Sequence, residues 1–270
     1  MGIGIRHIGR AALMAGGAMA TTLAAQVVVA RNHRFLPSDP MFEINCALGP
    51  EDGKLLVLAV LGDSSVAGVG ADRPEDTLTY GVARALAEHY RVRLHALGVS
   101  GAKLAHVVRD QVPKLAEIDP DVVLVCVGTN DITHCTPVHE VWRQLQLLGA
   151  GLVTAAPRAV AVVSGLPPAE TSLAFRWPLR EVLGVWARAY TRLFQAELSR
   201  HGITVVDVAA VARDVFRRNR EMFSPDLFHP SSTGYTFLGQ FYGQAVRRAV
   251  DAARAAELAA PRDLASDLAG

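Results

Sequence analysis

Short apolar runs recur along this chain, separated by stretches with helical spacing. Residues 55–61 (LLVLAVL) and 122–127 (VVLVCV) are apolar at every position. A strand wetted on one face alternates apolar and polar residues; one apolar throughout must be covered on both faces. Residues 92–97, 159–164 and 203–206 read as three further strands. Between them, residues 77–90 and 104–115 carry helical patterns, the second weaker and with Pro113 near its end. Val138, Val141, Trp142, Leu145 and Leu148 mark another helix, Leu179 to Phe194 a long amphipathic one, and Tyr235 to Ala249 the last. Five strands alternating with helices give an α/β protein built on a parallel sheet buried on both faces.

Ligands of such sheets bind beyond the carboxyl ends of the strands, so the segments after each strand carry the functional question. Those segments are GDSS (62–65), GVSGAK (98–103), GTND (128–131), GLPP (165–168) and, further on, SPDLFHP (224–230). Each alone reads equally well as a turn. Four of the five, all but GLPP, carry polar groups that fit one chemistry. A serine hydroxyl needs a base within reach, and a histidine serves when an acid fixes its tautomer. Asp226 and His229 are three residues apart, so a single turn can fold the carboxylate onto Nδ1 and leave Nε2 facing Ser64. Acyl transfer also needs oxyanion donors. The backbone N–H groups of Ser64 and Gly101 and the side-chain amide of Asn130 are the candidates.

Gly62-Asp63-Ser64, the Gly101 turn, Gly128-Thr129-Asn130-Asp131 and Asp226-Leu227-Phe228-His229 resemble the four sequence blocks of the SGNH hydrolases, the GDSL esterase and lipase family, in the family's order. The resemblance implies a flavodoxin-like three-layer α/β/α sandwich around a five-stranded parallel sheet. It implies a serine esterase or lipase with Ser64, Asp226 and His229 catalytic and Ser64, Gly101 and Asn130 forming the oxyanion hole. Ser65 stands where the family often has leucine; Ser64, directly after Gly-Asp, is the expected nucleophile. Asp63 and Asp131 are read as supports of their loops. No cofactor or metal is implied. An acyltransferase, a carbohydrate deacetylase and a non-catalytic binding module are the alternatives on the same scaffold.

Other signatures fail. The nucleophile elbow needs glycine two residues after the serine, where Val66 stands, and there is no GxxxxGK loop. With 27 basic and 26 acidic residues the net charge is +1, which excludes a nucleic-acid partner held by field alone. The three cysteines lack metal-ligand spacing. The expected partner is a small-molecule, lipid or carbohydrate ester, and Leu173, Phe175 and Trp177 are candidates for an acyl pocket. Arg6 and Arg10 precede an uncharged stretch, 11–30, which suggests membrane contact and an exported or outward-facing anchored protein. The expected division is 1–34 as signal or anchor, 35–54 as linker, 55–250 as the esterase domain and 251–270 as an Ala-rich tail.

Overall fold

The computed structural model describes residues 17–30, 33, 35–37 and 42–259. Six strands form one sheet: β1 (Cys46–Leu48), β2 (Leu55–Gly62), β3 (Arg91–Ala96), β4 (Val122–Cys126), β5 (Val160–Ser164) and β6 (Thr204–Val206), in the order β1-β3-β2-β4-β5-β6. The five expected strands are all parallel. The sixth, β1, pairs antiparallel with β3 at the edge and lies inside the stretch expected to be a linker. Three residues between prolines and glycines carry no readable period, and edge strands are commonly that short.

Helices cover both faces. α1 spans residues 17–30. The others are α2 (Ser64–Ala67), α3 (Leu78–Ala87), α4 (Leu104–His106), α5 (Leu115–Ile118), α6 (Thr129–Thr133), α7 (Val138–Ala155), α8 (Leu179–Leu198), α9 (Val208–Arg218) and α10 (Ser232–Ala259). Successive strand residues point to opposite sides. Ala59, Leu61, Val123 and Val125 pack with Leu145, Leu148, Leu183 and Phe194 of α7 and α8. Leu58, Val60, Val122 and Leu124 pack with Val82, Leu86, Tyr235 and Val246 of α3 and α10. This is the three-layer sandwich, with the doubly apolar strands at its centre.

The helix expected over 104–115 is broken into pieces. α4 widens into a turn at Val107–Gln111, in which the Val112 N–H bonds back to the Val107 carbonyl, five residues earlier, and a 3₁₀ turn Val112–Lys114 leads into α5. Pro113 has no N–H to donate, so the regular ladder cannot run through it.

β2 lies between β3 on one side and β4 on the other, so the chain reverses its direction of winding there. The crevice at this switch point, beyond the carboxyl ends of β2 and β4, is where an open α/β sheet offers a site. Of the stretch 11–30, residues 11–16 lie outside the described residues. Among the described residues no helix is long and apolar enough to cross a membrane.

Candidate active site

The chain leaves β2 at Gly62 and enters α2 at Ser64. Gly62 lies against β4 so closely that a Cβ there would stand 2.1 Å from the Cys126 carbonyl oxygen. Only glycine admits that approach. Asp63 caps α2: its Oδ1 accepts the Ser65 N–H at 3.1 Å and the Ser65 hydroxyl at 2.9 Å. The two serines are thereby sorted. Ser65 is committed to Asp63, whereas the Ser64 hydroxyl lies 3.0 Å from His229 Nε2. Gln111, fully buried on the widened turn, grips the peptide before them. Its Oε1 accepts the Gly62 N–H at 2.8 Å and its Nε2 donates to the Gly62 carbonyl at 2.9 Å.

The acid and base share a tight loop. The Ser224 N–H donates to the His229 carbonyl at 2.8 Å, the Leu227 N–H to the Ser224 carbonyl at 3.0 Å, and Leu227 takes a positive φ of 62°. Within it, His229 Nδ1 donates to Asp226 Oδ2 at 2.6 Å. Asp226 Oδ1 accepts from the Ser224 hydroxyl at 2.8 Å and from the Phe228 and His229 N–H groups at 2.9 Å each. Oδ2 also accepts the Leu36 N–H at 3.0 Å. Burial pushes this carboxyl up, but the bonds from His229, Leu36 and Phe228 outweigh it and hold Asp226 well below the usual carboxylate range. It is therefore an anion at neutral pH.

The expected oxyanion donors fall differently. Asn130, in the first turn of α6, lines the cavity at Ser64 and gives one amide N–H to the Ala102 carbonyl at 3.0 Å. A primary amide has two N–H groups, so the second remains for a ligand. Gly101 has φ of 78° and open space where a Cβ would be, but is not among the cavity-lining residues. Asp131 accepts the Leu104 N–H at 2.9 Å, which ties the GTND loop to the start of α4. Burial pushes the Asp63 and Asp131 carboxyls up, against the lowering effect of the Ser65 and Leu104 bonds.

Ser64, Asn130 and His229 line a largely apolar cavity of about 130 Å³ together with Leu166, Phe175, Val208, Ala212 and Phe216. Of the three residues expected to line an acyl pocket, Phe175 does so. Leu173 and Trp177 do not: they are 41% and 61% exposed, because the segment over the site is tied down through its backbone instead. The Leu173 and Ala174 N–H groups both donate to the Leu227 carbonyl, and the Trp177 carbonyl accepts from Gln26. The missing walls come from α9, which the sequence reading passed over. Its signal was present: Asp207 caps it through the Ala210 N–H, and Val208, Ala212 and Phe216 follow at helical spacing. Gln111, Ser224 and Leu36 were also missed.

Residues 60–237 match the family model of the GDSL-like lipase/acylhydrolase family, and the chain belongs to that family. No curated protein matches it. Solved structures similar to it include a family 3 carbohydrate esterase from Clostridium thermocellum (17% identity, TM-score 0.59, covering 74% of this chain and 98% of that one). A lipase, Lip_vut3, from a goat rumen metagenome is also similar (22%, TM-score 0.57, 72% and 97%). So is an acetylxylan esterase from Geobacillus stearothermophilus (16%, TM-score 0.55, 73% and 96%). At these identities the likeness is one of fold.

Proposed function

We propose that the protein is a serine ester hydrolase acting on esters with an apolar acyl chain. One observation carries the reading: an unbroken relay, Ser64 Oγ to His229 Nε2 at 3.0 Å and His229 Nδ1 to Asp226 at 2.6 Å, in the lining of an apolar cavity. Ser64 Oγ attacks the acyl carbon as its proton passes to His229, and the carbonyl oxygen becomes an oxyanion beside Asn130 and the backbone N–H of Ser64. The tetrahedral intermediate collapses, the C–O bond to the alcohol breaks, and His229 returns the proton to the departing oxygen. Water then repeats the sequence on the acyl-enzyme, releasing the acid and restoring Ser64. Asp226 keeps Nδ1 protonated throughout, so Nε2 starts as an acceptor.

The cavity favours an acyl chain over an acetyl group on a sugar. Each buried methylene contributes about 0.8 kcal/mol, or roughly fourfold in kcat/KM, until the cavity is full. The test is a series of aryl esters from about two to sixteen carbons, repeated after treatment with a serine-reactive phosphonate and with an added alcohol. Turnover that rises with chain length and then falls, and is lost on labelling of Ser64, is the expected result. Labelling at Ser65, or turnover indifferent to Ser64→Ala, refutes the assignment. Ester product formed with the added alcohol, in place of free acid, identifies a transferase.

A further inference from the structure

The family match begins at residue 60, yet residues well before it touch the catalytic loop. The Leu36 N–H donates to Asp226 Oδ2 at 3.0 Å, and His33 Nε2 donates to the Asp226 carbonyl at 2.8 Å. Between them the Phe35 ring stands edge-on to Phe228, with centroids 4.9 Å apart, and to the His229 ring at 6.4 Å. The strap continues from α1, whose Leu23, Val27 and Ala30 pack on the core. α1 is pinned in turn by Gln26, which accepts the Leu179 N–H at 3.0 Å and donates to the Trp177 carbonyl at 2.6 Å.

We propose that this N-terminal strap is a working part of the catalytic site, with the Leu36 backbone N–H as a positioning group for Asp226 and Phe35 as a cover over the Asp226–His229 pair. The inference rests on the hydrolase reading above. Asp226 Oδ2 is the oxygen that receives His229 Nδ1–H, and Leu36 supplies its other donor. With the three donors on Oδ1, that bond completes the set that holds the carboxylate's rotation, and it is the one that acts on the oxygen facing the imidazole. It also favours the anion that must keep Nδ1 protonated. The site is therefore completed by residues that precede the family match.

Full-length protein should be compared as Leu36→Pro, which deletes the N–H, and Leu36→Ala, which keeps it. Leu36→Pro should lower kcat by about tenfold, as expected for a lost bond to a charged group, with KM within about twofold. Leu36→Ala should stay within about twofold on both. Proton NMR gives a readout that needs no turnover. The hydrogen-bonded Nδ1–H of His229 should resonate far downfield in the wild type and Leu36→Ala, and be shifted or lost to exchange in Leu36→Pro. Wild-type kcat and an unchanged resonance in Leu36→Pro would overturn the proposal, as would equal losses in both variants. Should Leu36→Pro fail to fold, His33→Ala and Gln26→Leu decide: both loosen the strap, and unchanged kcat in both overturns it. A wild type with no turnover on any ester would defeat the hydrolase reading alone, and the resonance would still test the strap.

Discussion

Replacing Gln111 by methionine keeps the length and volume of the side chain and deletes both of its hydrogen bonds to the Gly62 peptide. The Gly62 N–H then faces a thioether in a fully buried site and has lost the acceptor that Oε1 provided at 2.8 Å. An orphaned buried donor costs about 1–3 kcal/mol. The carbonyl suffers less, because it also accepts the Val99 N–H at 3.1 Å, and that second loss is about 1 kcal/mol or below. The sum is about 1–4 kcal/mol, which in a domain of this size lowers Tm by roughly 2–16 °C. Gly62 is two residues from Ser64, so its peptide should tilt and carry Asp63 and Ser64 with it. A displacement of that kind costs kcat more than KM. Thermal melting followed by circular dichroism, with kcat on the preferred aryl ester, tests both parts. A Gln111→Met protein that melts within about 1 °C of the wild type refutes the energetic argument. One that melts low but turns over normally refutes the claim that Gln111 positions Ser64.

Other outcomes follow from the same geometry. Asn130→Ala should lower kcat by on the order of 100-fold with little change in KM, since an oxyanion donor acts only after attack; an effect confined to KM would make Asn130 a substrate-binding group. Asp226→Asn and His229→Ala should be strongly non-additive, the double variant being little worse than His229→Ala; multiplicative losses would mean the relay does not act as one unit. Burial raises the Asp63 carboxyl above its ordinary 3.8, so folding favours its protonated form; that stabilisation is present below the ordinary value and lost as pH rises through the raised one. Asp63→Asn, which keeps an acceptor for the Ser65 N–H, should therefore gain Tm relative to the wild type as pH rises from the ordinary value through the raised one. A difference that does not vary with pH would show that the burial of Asp63 is not felt as a charge.

The central strands were legible because a strand buried on both faces writes its burial at every position, and residues 55–61 and 122–126 are apolar without a break. The relay was legible for a different reason. The Asp226–His229 pair is held by one local turn, so spacing fixes its geometry, and Ser64 follows from its place at the carboxyl end of β2, toward which that loop returns. What escaped the sequence depends on partners far along the chain. Gln111 is an ordinary polar residue on a weak helical pattern until the Pro113 break widens the turn and leaves its amide facing Gly62, 49 positions away. Leu36, next to Pro37, reads as linker, because a backbone N–H leaves no mark on sequence and its acceptor is 190 residues on. The acyl pocket shows the same division. Phe175 was found from the segment over the site, but Leu173 and Trp177 were not separable from it, since exposure there is set by the backbone bonds to Leu227 and Gln26. α9 carried a cap and a spacing, but nothing in its own sequence shows that Val208, Ala212 and Phe216 face the cavity at Ser64. Asp226 and His229 are neighbours in sequence, whereas Ser64 meets His229 across 165 positions and the groups that hold these residues come from equally far along the chain. Substitutions at Gln111 and Leu36 should therefore change rate without any change in the four blocks that identify the family.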